Sequence, residues 1–237
     1  MVYMRGHRDN YDEWRDLGNP GWGYADVLPL FKRSENNARG ETEFHGAGGP
    51  LFVADVPPQP IVHAWVEATA AHCKVKVTDD FNGADQEGAG VFQHTWRDGL
   101  RASTAVCFLD PVRGRDNLTV FTNAHALGLI VDGDRVTGVR VRRKATEQVI
   151  EGREIILAAG AIGSPQLLML SGIGHRELRD VGIDLKHELA GVGKHLEDHL
   201  MVPMAYEVTT NAGLELAAHK LGWWALQHLL GRGGPMA

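Results

Sequence analysis

Ile155 to Gly174 reads IILAAGAIGSPQLLMLSGIG, twenty residues without a charge in a chain that is otherwise soluble in composition. The length suits a membrane span. Gly160, Gly163, Ser164 and Pro165 fall in its middle, however, where proline removes a helical hydrogen bond and glycine weakens a lipid-facing helix. The stretch divides better into a short buried strand, Ile155 to Ala159, a tight glycine turn, and a helix that begins near Pro165, where a missing N–H costs nothing. A strand, turn and helix of this kind aims backbone amides and the positive end of the helix at whatever lies above the turn. That arrangement suits a phosphate or another anion.

Downstream, residues 176–181 read as a short helix ending at Gly182, Gly191 to His199 as a glycine-rich loop, 201–208 as a strand and 214–230 as a helix. Upstream, the apolar period is two from Leu118 to Ala158. Leu127, Leu129 and Val131, then Val136, Val139 and Val141, then Val149 alternate with polar residues, and Asp132-Gly133-Asp134 breaks the run as a hairpin does. This predicts a small antiparallel meander inserted into a parallel α/β layout. Nearer the start, helices are predicted over residues 8–17, 25–36, 61–73 and 102–109, with Leu51 to Val53 and Lys74 to Val77 as short strands. Ser164 reads as a helix-start serine.

The chain has 237 residues, 43% of them hydrophobic and 23% charged, which is globular composition. A net charge of -6 disfavours a nucleic-acid binder, since phosphate neutralisation needs a basic face. The basic cluster Arg140, Arg142, Arg143 and Lys144 alternates with valines, as the wet face of a strand does. Two cysteines, Cys73 and Cys107, make neither a disulfide framework nor a metal spacing, which points to a reducing, cytoplasmic compartment. The opening MVYMRGHRDNYDEW is polar from its fifth residue and is no signal peptide.

Chemistry-bearing motifs are sparse. Gly191-Val192-Gly193-Lys194-His195-Leu196 lacks the third glycine of a dinucleotide fingerprint, and Lys194 is not followed by the Ser or Thr of a phosphate loop. His195 and His199 stand four apart, as two zinc ligands on one helical face would, but Leu196 occupies the place of a zinc-protease glutamate. The other histidines, His7, His45, His63, His72, His94, His125, His175, His187, His219 and His228, form no spaced set and read as surface and capping residues. No G-x-S-x-G surrounds Ser164. From the residues alone the chain offers a nucleotide-type turn and no catalytic triad.

Four segments together resemble the glucose-methanol-choline (GMC) family of flavin oxidoreductases. Met1-Val2-Tyr3-Met4-Arg5-Gly6-His7, with Asp9, Tyr11, Asp12 and Trp14, is similar to the end of that family's first signature. Residues 160–174 resemble its second signature almost letter for letter. Arg101-Ala102-Ser103 to Pro111, and Gly191-Val192-Gly193 with Leu196, Asp198 and His199, match further landmarks in the family's order.

The resemblance implies a Rossmann-like FAD-binding domain, α/β in class and partial, with the inserted meander and the start of a sheet-based substrate domain. It places the FAD-binding domain at residues 1–200 and the start of the substrate-binding domain at 201–237, with 50–97 packing against the latter. It implies FAD as cofactor and hydride transfer from a small-molecule alcohol, choline or another primary alcohol, to give an aldehyde. Oxygen and a membrane carrier both stay open as electron acceptor, so a site peripheral to the inner membrane stands beside a cytoplasmic one. Carried over by position, Met1 and Val2 line the flavin, Ala126 holds the adenine through its backbone, and Ala159 and Gly160 form the turn at the ADP half. The family's dinucleotide glycines lie upstream of what Met1 matches and its catalytic histidine pair lies beyond Ala237. The chain therefore reads as the middle of such an enzyme, inactive by itself, with no histidine of its own as catalytic base. A non-catalytic nucleotide-binding or interaction module is the rival reading, and a metal hydrolase at His195 and His199 a third.

Overall fold

The computed structural model describes residues 1–56, 60–203 and 218–230. It divides into two compact units, Met1–Leu118 with Tyr206–Ala237, and Thr119–Ala205.

The first unit opens on helix α1, Arg8–Asp16, which starts as its sequence dictates: His7 Nδ1 accepts the Asp9 N–H and Asn10 Oδ1 accepts the His7 N–H, a reciprocal cap. Helix α2, Tyr24–Ser34, begins after the Gly/Pro/Trp turn, with Asp26 accepting the Gly23 N–H. Tyr11 packs edge-on against Trp14 and Phe31, joining the two helices, and its hydroxyl accepts the Gly6 N–H. Strand β1, Glu35–Asn37, takes up the end predicted for α2 and pairs in parallel with β2, Leu51–Val53, in the register Glu35 to Leu51. Helix α3, Pro60–Cys73, follows. The strand predicted over residues 74–77 does not form. Lys74 has φ +56, and the segment makes a single bridge from Val77 to Ala89, because a left-handed residue cannot continue a ladder.

A two-residue ladder joins β3, Trp96–Arg97, to β4, Leu100–Arg101. The short helix predicted next is wider than an α-helix, a π-type turn over Ala105–Leu109 that runs into a 3-10 turn, Asp110–Val112. Ser103 initiates it, its carbonyl accepting the Cys107 N–H and its hydroxyl the Val106 N–H. Pro111 lies in the first positions of that 3-10 turn, where proline's missing donor is not needed.

The second unit is built on the predicted meander. Strands β5, Ala124–Asp132, β6, Arg135–Arg143, and β7, Thr146–Glu151, form one antiparallel sheet. Gly133, with φ +55, supplies the tight turn between β5 and β6. Leu118 and Val120, read with the meander, stay outside its strands. Helix α4, Gly160–Leu170, packs on this sheet through Ser171, whose hydroxyl accepts the buried Leu129 N–H and donates to the Leu167 carbonyl. Beyond it, β8, Ile173–Gly174, pairs in parallel with β9, His187–Glu188, around a 3-10 turn, Arg176–Val181, that ends on Gly182 as predicted.

Two expectations for the central stretch are corrected. Ile155 to Ala159 joins no ladder, no strand among the described residues pairing with it; Ala159 has already left the strand conformation at φ -87 and ψ 10, and Ile156 is 84% exposed. The helix also starts five residues before Pro165. Gly160, at φ +85, makes the turn that a side chain would resist, so α4 begins there and Pro165 sits within it. Of the strand predicted over 201–208, residues 201–203 are not in a strand and 204–208 lie outside the described residues. Helix α5, Ala218–Leu229, represents the predicted 214–230 helix, whose first four residues lie outside them too.

Candidate cofactor site

In the second unit the turn into α4 is built as an acceptor site requires. Ala159 takes the capping position with no side chain donating or accepting for the first helical turn, so the leading N–H groups of α4 are not taken up by a capping side chain. Ser164, predicted at the helix start, sits inside the helix with its hydroxyl folded back onto the Ala159 N–H, 3.0 Å away. A Cβ added to Gly160 would meet nothing within 4 Å, so the space above the turn is open. Beside it lies a recess of about 620 Å³, walled by Ala161, Ile162, Pro165 and Met169 of α4 and by the loop from Gly193 to Glu197. Gly193, at φ +76, lets that loop close on the helix: a Cβ there would stand 2.9 Å from the Met169 sulfur. Lys194 and His195 come from the same loop. Uncommitted amides, the positive helix end and a lysine are a donor set that fits the anionic half of a dinucleotide such as FAD.

His195 has φ +56 and lies outside any helix, so its spacing from His199 does not put two imidazoles on one helical face. Ala126 is on β5 opposite Val141, next to a register irregularity that ends at Gly128, and it shares the second unit with Ala159 and Gly160. Met1 and Val2 belong to the first unit.

Met1 and Val2 form the edge of a short ladder in that unit. The Met1 carbonyl accepts the Thr95 N–H, Val2 bridges His94, and the Tyr3 N–H donates to the Gln93 carbonyl at 2.8 Å. Both side chains are half exposed, at 50% and 53%. Alongside them His94 Nδ1, Thr95 Oγ1 and Trp96 Nε1 are buried with no hydrogen-bond partner among the described residues. Burial holds the His94 imidazole below its ordinary value. Three orphaned polar atoms in succession are costly unless something outside the described residues pairs them. An apolar edge backed by unpaired donors and acceptors fits a polar, planar ring.

Beneath this edge lies what the sequence reading missed. Glu35 is fully buried, its Oε2 2.6 Å from Arg5 Nη2 and its Oε1 3.0 Å from His45 Nδ1. His45, expected at the surface, is 5% exposed. Burial pushes the Glu35 carboxyl up, but hydrogen bonds from His45, Asn37 and the Gly46 N–H, with the Arg5 charge, outweigh it and hold the group below its ordinary value. His45 is raised, first by its hydrogen bond to Glu35, against burial, with help from Asp80. The one local signal was the pair His45-Gly46, a glycine needed because a Cβ at Gly46 would fall inside the Lys32 carbonyl.

No helix among the described residues is long and apolar enough to cross a membrane. Residues 1–201 match the family model described as GMC oxidoreductase. The oxygen-dependent choline dehydrogenase of Sinorhizobium fredii is 44% identical over 204 residues, 84% of this chain and 37% of the relative. That of Brucella ovis is 43% identical over 212 residues, 88% of this chain and 38% of the relative. Among solved structures, pyridoxine 4-oxidase from Mesorbium loti matches with TM-score 0.74 and 33% identity, over 80% of this chain and 38% of that one. An FAD-dependent oxidoreductase from Chaetomium thermophilum matches with TM-score 0.87 and 26% identity, over all of this chain and 44% of that one. The chain thus spans well under half the length of these relatives, and its α/β architecture with the inserted meander is a partial Rossmann-like FAD-binding domain. On the family model and these relatives together, the chain belongs to the GMC oxidoreductase family.

Proposed function

We propose that this chain forms the FAD-binding part of an oxidoreductase acting on the CH–OH group of a small alcohol, choline or another primary alcohol, to give the aldehyde. The observation that carries the reading is the 44% identity to choline dehydrogenases across most of the chain. The recess at the start of α4 supports it independently. In this reading the first amides of α4 and the Lys194 ammonium hold the anionic half of the cofactor; Gly160 lets backbone approach it without a side chain between, and Ala159 beside it carries only a methyl. Ala126 offers its backbone to the adenine. Met1 and Val2 cover one edge of the ring system and exclude water there, while the His94 to Trp96 edge satisfies polar atoms of the ring. Bound FAD would supply the hydride acceptor, and the chain's own residues bind and orient it. A base for the hydroxyl proton is not assigned to any residue of this chain, and the reading puts residues 201–237 at the start of a substrate-binding domain.

The test is flavin absorbance and its response to substrate in the gene product purified from its source. Loss of the oxidised-flavin band on adding choline under anaerobic conditions is expected. Gly160→Val, which fills the space above the turn, should lower the flavin content at least tenfold. A protein that carries no flavin, or whose flavin is unchanged by choline and by every primary alcohol tried, would defeat the reading.

A further inference from the structure

The Glu35 cluster closes on itself. Glu35 binds Arg5 and His45; His45 Nε2 lies 2.9 Å from Asp80 Oδ2; Asp80 Oδ1 accepts the Asn82 N–H at 2.9 Å; and Asn82 Oδ1 accepts the Arg5 N–H at 2.7 Å. Asn82 Nδ2 also donates to the Tyr3 carbonyl at 3.1 Å. The ring thereby ties three separate stretches, the loop holding His45, the turn holding Asp80, and Tyr3 to Arg5.

Counting donors fixes the state of the histidine. Both ring nitrogens of His45 face carboxylate oxygens, which only accept. Asn37 Nδ2 stands 3.0 Å from Nδ1, but its two hydrogens are already directed to Glu35 Oε1 and Gln93 Oε1, each at 2.9 Å. Neither ring nitrogen therefore needs to accept, and a neutral ring would turn a lone pair on one carboxylate. Charge agrees with geometry: with a neutral His45, Glu35, which has no access to water, would keep Arg5 alone as its cation, and Asp80 would have no cation bonded to it among the described residues. The groups further out do not alter the count. Tyr3 lies 3.4 Å from Arg5 Nε, and burial raises its phenol, which stays neutral; Arg39 is paired with Asp55 and donates to the Asp79 carbonyl.

We propose that His45 is a standing imidazolium, the pH-sensitive keystone that holds the Met1–Tyr3 edge in place. On deprotonation one of its two bonds becomes repulsive. Asp80 is the partner with water access, at 27% side-chain exposure, so that bond opens first. The Asp80–Asn82 turn then lets go of the Tyr3 carbonyl and the Arg5 amide. His45 thus acts as a positioning residue, and that the edge it positions faces a flavin rests on the proposed function above.

The test uses the full chain without added cofactor. Long-range nitrogen–proton spectra should show both His45 ring nitrogens protonated at pH 7, with the signal identified by its loss in His45→Gln. Should that variant fail to fold, Asp80→Asn, which keeps the shape, should move the same signal's titration to lower pH. Hydrogen exchange at the Arg5 amide, corrected for its intrinsic pH dependence, should speed up as His45 loses its proton and follow the same midpoint. One bare ring nitrogen at pH 7 would overturn the inference, as would an Arg5 amide indifferent to the His45 titration. Neither readout involves flavin, so a protonated His45 in a protein that takes up no FAD would defeat the proposed function and leave this inference standing.

Discussion

Arg5 and Glu35 show how a single residue's cost depends on what it leaves behind. With side-chain exposures of 2% and 0%, neither charge has recourse to water. Arg5→Ala abandons the Glu35 carboxylate among its remaining donors, and a loss of about 3–5 kcal/mol is expected from urea denaturation. Replacing both members by apolar residues of similar volume, Arg5→Met with Glu35→Leu, should recover part of that loss, because no unpaired charge is then buried. If the single variant costs under about 1 kcal/mol, the pair is not the desolvated ion pair described above. Gly46 illustrates a steric limit of the same severity. A Cβ there would overlap the Lys32 backbone, which cannot step aside, whereas one at Gly128 would sit 3.6 Å from the Ser171 hydroxyl in ordinary contact. Gly46→Ala should therefore lower the melting temperature sharply, and Gly128→Ala should stay within about 0.5 kcal/mol of the parent.

Among the elements, α4 depends on one hydroxyl. Ser171 accepts the Leu129 N–H at 2.7 Å and donates to the Leu167 carbonyl at 2.6 Å, fastening the end of the helix to the middle of β5. Ser171→Ala leaves a buried amide unpaired, so about 1–3 kcal/mol should be lost in equilibrium unfolding. Ser171→Thr, which keeps the hydroxyl, should lose less. A Ser171→Ala variant as stable as the parent would mean that the Leu129 amide finds another acceptor. The elements also show what a sequence can tell. The meander was legible because its apolar period of two is local. Ile155 to Ala159 was misread as a paired strand because pairing is a property of the neighbour, not of the segment. The start of α4 was misplaced because proline marks a first turn, while the left-handed Gly160 five residues earlier began it. The His45 ring left no trace beyond the glycine beside it, because its partners stand 10 and 35 residues away, beyond any periodicity. The candidate turn at Ala159 and Gly160 was visible in composition; the Gly193 loop was visible as a glycine-rich loop, but its closing on Met169 of α4 was not, because that contact is long-range.

At the scale of the whole molecule these charged groups set how stability depends on pH. Glu35 is held below its ordinary value of 4.5, so its contribution is fully present above that pH and disappears as pH falls through the lower, folded value. His45 is held above its ordinary 6.5, so its contribution is complete below 6.5 and disappears as pH rises through the higher, folded value. Exposed carboxylates held down by a neighbouring cation, such as Glu147 by Arg142 and Asp85 by Lys76, act in the same direction as Glu35, but water and salt screen them. Glu35 and His45 therefore bound a window between 4.5 and 6.5, and His94, held below its ordinary 6.5 by burial, takes stability away as pH falls through that window, so the maximum lies toward its upper end. Urea midpoints measured across pH 3 to 9 should trace a dome over that interval, and 0.5 M salt should leave it largely in place, because the buried pairs are poorly screened. In His45→Gln the alkaline slope should flatten while the acid slope remains. Stability that climbs steadily from pH 5 to 8, or a dome that salt abolishes, would mean that surface charges and not the Glu35–His45 cluster govern the titration.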